Sequence, residues 1–455
     1  MNWLLIASVY FIVGAFQAYY LPLGIESLSF FAILAALAVY FNIIANSNYP
    51  KPASVITWVF FFVFMYIAPV IQMADGRFPN TFTPGKTEIL TTNVLILMFV
   101  IVIMFFEAKK RKPSSEPYIK KVHSVSVDYN NSGMITWLFI LSCLSVLYLL
   151  SPQARAAYLQ AENGKAMGLI LKHFVAMIPV SLLAYLLSLE KSTRSKLHNI
   201  YFIVSLVLVL IAKNPFNEKR NALGPIYLGI VFGCILTGWV VSNSRFLLLN
   251  TVIMFVAFPF MKAFTHNQDG DYFTQASTFD FIRELKGLDF DAWSNIAATV
   301  HYVANNGHLF GQQLAATLFF WVPRNIWPSK PDYTGKLIAG YLTENYSMWF
   351  ENLSNPIISE AYIDFGVIGI IIYAVFISLV VSKLNKLFNT SSYSSFISVF
   401  FSYYLIFIFR GALMSAVAYS VGSFLAIVVV PQIIKKIFEA TSFRTNNIRI
   451  NGDKT

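Results

Sequence analysis

Apolar runs of nearly membrane-spanning length alternate along this chain with short polar links. Runs of about twenty residues match the length of helix that a bilayer's hydrocarbon core demands. They predict helical spans over residues 3–20, 27–45, 54–74, 89–106, 134–150 and 167–188. Six more are expected at 199–212, 222–241, 246–263, 358–382, 395–410 and 414–433. The run at 199–212 is short and closely followed by the next, which also suits a re-entrant segment. No internal repeat is visible, which weighs against transporter folds built from repeated halves.

The pattern breaks once, from about Lys262 to Pro356, in by far the longest segment between spans. Loops of that length usually carry function or structure of their own. Two parts of it read as helix. One is Thr278–Gly287. The other starts at Asp291, which is placed to act as an N-cap, and brings Trp293, Ile296, Ala297, Val300 and Val303 onto one face. Further on, Trp321-Val-Pro-Arg-Asn-Ile-Trp-Pro-Ser-Lys-Pro331 holds three prolines, two tryptophans and two cations. Each proline fixes its own φ and pushes its predecessor toward extended geometry, so this stretch is stiff and non-helical. Tryptophan beside Arg324 and Lys330 suits a membrane–water interface, where such a loop could grip an anion.

Composition agrees with the pattern. The chain is 57% hydrophobic and 12% charged, with mean hydropathy +0.61, outside the range of soluble domains. The fold class expected is an all-α polytopic membrane protein of about 12 transmembrane helices, with one large loop containing short helices. It divides into 1–133 (first helices and a basic loop), 134–263 (central helices), 264–357 (the large loop), 358–433 (last helices) and 434–455 (tail). The opening Met1-Asn2-Trp3 runs straight into apolar sequence with no charged leader, so the first helix is expected to be retained. Cys143 and Cys234 both fall in apolar runs and read as helix packing.

Charge sets the orientation. Lys109, Lys110, Arg111 and Lys112 share a loop with Lys120 and Lys121, and Lys191, Arg194 and Lys196 share another. In a twelve-span arrangement these lie on one side with Lys383, Lys386, Lys435 and Lys436, which makes that side, and both termini, cytoplasmic. The net charge of +11 follows largely from this topology; no basic run with interleaved aromatics points to nucleic acid. The opposite face should then be poor in cations, yet Arg155, Lys213, Arg220, Arg283, Arg324, Lys330 and Arg410 fall on or near it, with Lys172 near a helix start. Either these are solvated or paired loop charges, or they bind an anion. Arg220 and Arg410 stand out, because a guanidinium at the end of an apolar helix is costly unless it is partnered. Its planar fork of donors suits phosphate or carboxylate. Glu360, Asp291 and His301, in that order, are candidate general bases. Each also has a structural reading: Glu360 as an ion-pair partner of an arginine, Asp291 as a helix cap, His301 as a hydrogen-bonded packing residue. Asp269-Gly-Asp271 reads as a turn. No zinc-protease, phosphate-loop or nucleophile-elbow pattern is present, so no metal and no cofactor is implied.

The order of Lys219-Arg-Asn-Ala222, the large loop, Val322–Pro331, Ser359-Glu-Ala-Tyr-Ile-Asp-Phe-Gly366 and Phe409-Arg-Gly-Ala412 resembles Wzy-type polymerases of bacterial surface polysaccharides. These include O-antigen, enterobacterial common antigen and capsule repeat-unit polymerases. The likeness runs over roughly residues 150–430, with Arg155-Ala-Ala-Tyr158 and Leu171-Lys-His173 falling where enterobacterial common antigen polymerases carry basic residues. It implies a glycosyltransferase of the bacterial inner membrane whose site, large loop included, faces the periplasm. A glycan growing on undecaprenyl pyrophosphate would pass to a new lipid-linked repeat unit, with release of the lipid pyrophosphate. Arg220, Arg324 and Arg410, then Lys330, Arg155, Lys172 and Arg283, would hold pyrophosphate. Membrane lipids and a co-polymerase that regulates chain length are the partners implied. The rival readings are an O-antigen ligase-like transferase, with a different acceptor, and a flippase or transporter for lipid-linked oligosaccharide. A transporter would want charges along a path through the membrane; here they gather at one face.

Overall fold

In the computed structural model, residues 3–47, 49–109, 129–154, 166–189, 195–215, 220–238, 242–254 and 280–440 are described. Arg155, Asp269-Gly-Asp271, the basic loop beyond Lys109 and the tail beyond 440 lie outside them, as do residues 255–263 of the ninth expected span. The regular elements among the described residues are all helices, with no strand. In chain order the helices before the large loop are α1 (Trp3–Tyr20), α2 (Ile25–Ala45), α3 (Pro52–Asp75), α4 (Lys86–Lys109), α5 (Tyr129–Leu150) and α6 (Ala166–Ser188). They continue as α7 (Lys196–Ala212), α8 (Arg220–Gly238) and α9 (Asn243–Val252). The large loop contributes α10 (Phe281–Leu285), α11 (Ala292–Asn306), α12 (Gln312–Leu318) and α13 (Thr334–Tyr346). Last come α14 (Ile357–Leu387), α15 (Ser392–Arg410) and α16 (Leu413–Ala440). Each of the expected spans contains a helix. Among the described residues, eight helices are long and apolar enough to cross a membrane, while α7 and α8 offer shorter apolar stretches.

The bundle is built on α3, which is buried along nearly its whole length and packs against α2, α9, α14 and α15. Within it Val63–Ile67 widens to a π turn just ahead of Pro69, and in α16 Leu425–Val429 does the same ahead of Pro431. A proline has no N–H and its ring crowds the carbonyl four residues back; a wider turn accommodates both. A second core joins α6, α8, α15 and α16. Helix α15 serves both: Phe396, Phe400 and Tyr404 face the second core, while Val399, Tyr403 and Phe409 face the first.

Helices α8 and α15 cross at backbone contact. A Cβ on Gly233 would lie 2.6 Å from the Phe396 ring, and one on Gly229 would lie 3.1 Å from the Phe400 Cα. Two glycines four apart on one helix face allow this approach. The pairing is antiparallel, and continued along both helices it brings Arg220, the first residue of α8, level with Phe409 and Arg410.

The expectation of one uninterrupted helix from residue 358 needs correction. Gly366 takes φ 60° and ψ −142°, so Ile357–Phe365 is a separate short helix. The turn is so tight that a Cβ on Gly369 would sit 2.1 Å from the Ala361 carbonyl oxygen. Only a residue without a Cβ takes this backbone freely, and a side chain at 366 would also meet the His308 ring at 3.1 Å.

The helix expected from Asp291 is present, and Trp293, Ile296, Ala297, Val300 and Val303 are all buried. Its first half is enclosed on every side. Trp293 donates to Asn93 Oδ1 at 2.8 Å and packs on Phe30 and Phe78, so it is a core residue and not an interfacial anchor. The helix expected over Thr278–Gly287 is limited to Phe281–Leu285 among the described residues.

Replacing Gly229 by leucine should force α8 and α15 apart, at a cost of about 1–3 kcal/mol for overpacking. Gly340→Ala, where nothing stands within 4 Å of the new carbon, should be neutral or slightly stabilising. Thermal unfolding of the purified protein in detergent checks both; an unchanged midpoint for Gly229→Leu would contradict the close crossing.

Candidate functional site

Arg410 ends α15 at the seam between the two cores, and its side chain is 12% exposed. A guanidinium held that deeply needs its donors matched. One terminal nitrogen supplies two hydrogen bonds, to the Leu288 carbonyl at 2.7 Å and to Asp291 Oδ1 at 3.2 Å. The Nε is buried and has no hydrogen-bond partner among the described residues. Beside it opens a small cavity of about 40 Å³. Phe64, Leu228, Ile406 and Phe407 give it apolar walls; Arg410 and Ser354 are its polar groups, and Gly224 and Pro225 place the first turns of α8 along it.

Asp291 occupies the N-cap position of α11, as expected, but its side chain makes no capping bond and its backbone is already helical. The carboxylate turns away to accept from Ser354 Oγ at 2.7 Å and Asn295 Nδ2 at 2.9 Å, besides Arg410. A charge-assisted contact to a buried guanidinium outweighs a cap to a neutral amide. Burial pushes the Asp291 carboxyl above its ordinary value, against the opposing pull of Arg410 and its hydrogen-bond donors. Around this pair the large loop is fastened to the bundle. Gln72 on α3 donates to the carbonyls of Leu285 and Phe290, and Asn80 donates to Asn295 Oδ1 at 3.0 Å.

Glu360 lies on the short helix before Gly366, fully buried, and no cation pairs with it among the described residues. One carboxylate oxygen accepts from the Thr334 hydroxyl and from the Leu413 backbone N–H, the latter at 3.0 Å. The reading of Glu360 as an arginine's partner therefore gives way to that of an acceptor at the N-terminus of α16, three residues past Arg410. One turn on, Asp364 serves α12 in the same way, accepting from the N–H groups of Gln313 and Leu314 at 3.2 and 2.7 Å. Asp364 was missed in the sequence, although an acid inside the span expected at 358–382 was a signal that could have found it.

The remaining candidates separate. Arg324 is half exposed; it donates to Asp332 and, at 2.6 Å, to the Lys330 carbonyl. Lys330 is buried, and its ammonium donates to the carbonyls of Phe320 at 2.7 Å and Val322 at 3.1 Å. Burial and the nearby Arg324 lower the Lys330 pKa. These two cations close the proline-rich loop on itself. Prolines leave carbonyls without helical partners, and the cations supply the missing donors. Arg283 is exposed on α10. Lys172 is half-buried on α6 next to His173, whose ring lies 3.7 Å from that of Tyr419 and whose Nδ1 is 3.5 Å from the buried Lys213 ammonium. Tyr419 in turn stacks on the cavity residue Phe407. Arg220 begins α8 one turn before the cavity-lining Gly224.

His301 is bonded through both ring nitrogens, to Glu88 Oε1 at 3.0 Å and to the Tyr346 hydroxyl at 2.7 Å. Ten residues of helix, about 15 Å, separate it from Asp291. It cannot act on an atom held by Arg410. Among the described residues no three His, Cys, Asp or Glu side chains gather closely enough to hold a metal ion.

The structure thus brings Arg410 and Asp291 into contact at a cavity, with the start of α8 beside it, and sets Glu360 behind them. No curated protein and no solved structure matches the chain. Residues 353–439 match the family model described as O-antigen polysaccharide polymerase Wzy. The matched segment holds Glu360, Asp364 and Arg410 and leaves out the proline-rich loop. That segment is similar to the O-antigen polysaccharide polymerase family, the same kind of protein that the sequence resembles.

Proposed function

We propose that this protein polymerises oligosaccharide repeat units carried on undecaprenyl pyrophosphate, at the periplasmic face of the bacterial inner membrane. The observation that carries this reading is the buried Arg410 guanidinium at the edge of a largely apolar cavity, oriented by Asp291 and the Leu288 carbonyl, with no partner for its Nε among the described residues. Such a site matches a ligand that is anionic at one end and hydrocarbon beyond it.

In the reaction a hydroxyl at the non-reducing end of the incoming unit attacks the anomeric carbon of the growing glycan. A new C–O bond forms, and the bond between that carbon and the pyrophosphate oxygen breaks. Negative charge then builds on the departing lipid pyrophosphate. Arg410, with Arg220 level with it on α8, stabilises that charge in a site of reduced dielectric. Of the three candidate bases, Asp291 alone touches a cavity-lining cation, and burial raises its carboxyl above the ordinary aspartate range. Glu360 acts as a positioning residue by fixing the chain at Leu413.

Membranes reconstituted with purified lipid-linked repeat units test the proposal. Long glycan on lipid supports it. Transfer to a lipid A-core acceptor would mean a ligase, and movement between leaflets without new bonds would mean a flippase. In that assay Arg410→Lys, which keeps the charge and loses the fork, should slow elongation about a hundredfold to a thousandfold. Its thermal midpoint controls for folding.

The pH profile carries a second expectation. A raised carboxyl takes up its proton at higher pH than an exposed aspartate, so elongation should decline on acidification before ordinary carboxylates titrate. Asp291→Asn should remove that acid limb while lowering the plateau; an unchanged limb would assign it to another group.

For orientation, a cysteine at Arg111 in a protein lacking Cys143 and Cys234 should resist a membrane-impermeant maleimide applied from the periplasm. Labelling there would reverse the topology.

A further inference from the structure

On the open side of α11, His301, Tyr302 and Asn305 meet Tyr341 and Tyr346 of α13, and most of these side chains are half exposed. The rings of Tyr302 and Tyr341 stand edge to face at 5.3 Å. Asn305 Nδ2 donates to the Tyr341 hydroxyl at 3.3 Å and to the His301 carbonyl at 3.0 Å, leaving its own carbonyl at the surface. Phe82 packs beneath His301 and Tyr346, with ring centroids 4.8 and 5.2 Å away. The bonds of His301 to Glu88 and Tyr346 fix the floor of this group.

Its position is defined by α4. Trp293 bonds to Asn93, in the second turn of α4, and His301 bonds to Glu88 in the first. Along α11 the chain therefore climbs from the Arg410 cavity toward the mouth of the bundle, over about 15 Å of helix. An oligosaccharide of a few units covers that distance.

Resting on the polymerase reading above, we infer that this cluster is a glycan-binding platform that holds the growing chain beyond its pyrophosphate. Half-exposed aromatic rings offer apolar faces to the C–H faces of a pyranose, and the amide and hydroxyl edges meet its hydroxyls. Among the described residues no lysine or arginine belongs to the platform, which suits a neutral sugar surface better than phosphate. Held there, a glycan stays near the cavity after each transfer, so the platform sets how many units are added before release.

The test uses two probes. The first is the free oligosaccharide released by mild acid from lipid-linked repeat units, titrated against the full-length protein in detergent. Tyr341→Ala should weaken its binding by up to about tenfold, as loss of one aromatic contact allows, and Tyr341→Phe should keep most of it. The second is elongation of the intact lipid-linked units. Tyr341→Ala and Asn305→Ala should shorten the product several-fold while the joining of the first two units stays within about twofold of the unaltered protein. Unchanged binding and unchanged length in a stably folded Tyr341→Ala protein would overturn the platform. So would loss of the first joining step in proportion to length, which would make these residues a mere brace for α11. Glycan binding that depends on Tyr341 in a protein that never joins units would sink the polymerase reading and leave the platform standing.

Discussion

A guanidinium and a carboxylate buried together, Arg410 against Asp291, are the constraint on which this end of the molecule depends. Each charge is expensive to remove from water, and taking away one partner leaves the other uncompensated, at a cost of about 3–5 kcal/mol. The surrounding architecture satisfies both. The turn at Leu288–Phe290 presents a carbonyl to the arginine, Ser354 and Asn295 donate to the aspartate, and Gln72 on the central helix holds the turn in register. The pair thereby joins two long-separated parts of the chain, the large loop and the helix at the seam of the two cores. Among the described residues its Nε is left without a partner, which is what sets this anchor apart as a candidate site.

Much of the bundle was legible in the hydropathy of the chain because a bilayer imposes one length and one composition on each span. The buried face of α11 could be read for the same reason, since Trp293, Ile296, Ala297, Val300 and Val303 repeat at helical spacing. The short helices at Gln312–Leu318 and Thr334–Tyr346 escaped, having neither bilayer length nor a sustained apolar stripe. The break at Gly366 escaped too. Its residues are as apolar as those of a span, and only the approach of His308 and of Ala361 to Gly369 explains the turn. The Gly229 and Gly233 pair was visible at its four-residue spacing, but its meaning appears only with Phe396 and Phe400 across the interface.

Charge was harder to read than hydropathy, because the fate of a cation is decided by partners far along the chain. Arg324 and Arg410 were both expected to hold an anion, one from a proline-rich loop and one from the end of an apolar helix. Arg324 finds Asp332 and the Lys330 carbonyl within eight residues, so it closes a local loop at the surface. Arg410 finds Leu288 and Asp291 more than a hundred residues away, so it can exist only in the assembled fold. Cost separates them: the exposed pair is worth little, whereas the buried one must be built for. The same logic demoted His301, whose ring nitrogens are both engaged at the mouth of the bundle.

The opposite end of the bundle holds a buried ion pair that tests this distinction. Lys51 and Glu107 lie 3.6 Å apart, both almost fully buried, where α2, α3, α4 and α14 converge. Glu107 accepts from Tyr40 at 2.6 Å and from Ser54 at 2.7 Å, and Asn385 completes the network by donating to Ser54 at 2.7 Å. Both oxygens of that carboxylate are matched by side chains of the same bundle, and the network as a whole draws on four helices. An arrangement so complete is a staple: it fixes helix register and offers nothing to a ligand. The Arg410 pair has similar chemistry and is also buried, yet it lies beside a cavity and one of its donors has no partner among the described residues. In a membrane protein with few charges, burial alone does not mark function; a buried charge whose hydrogen bonding stops short of completion does.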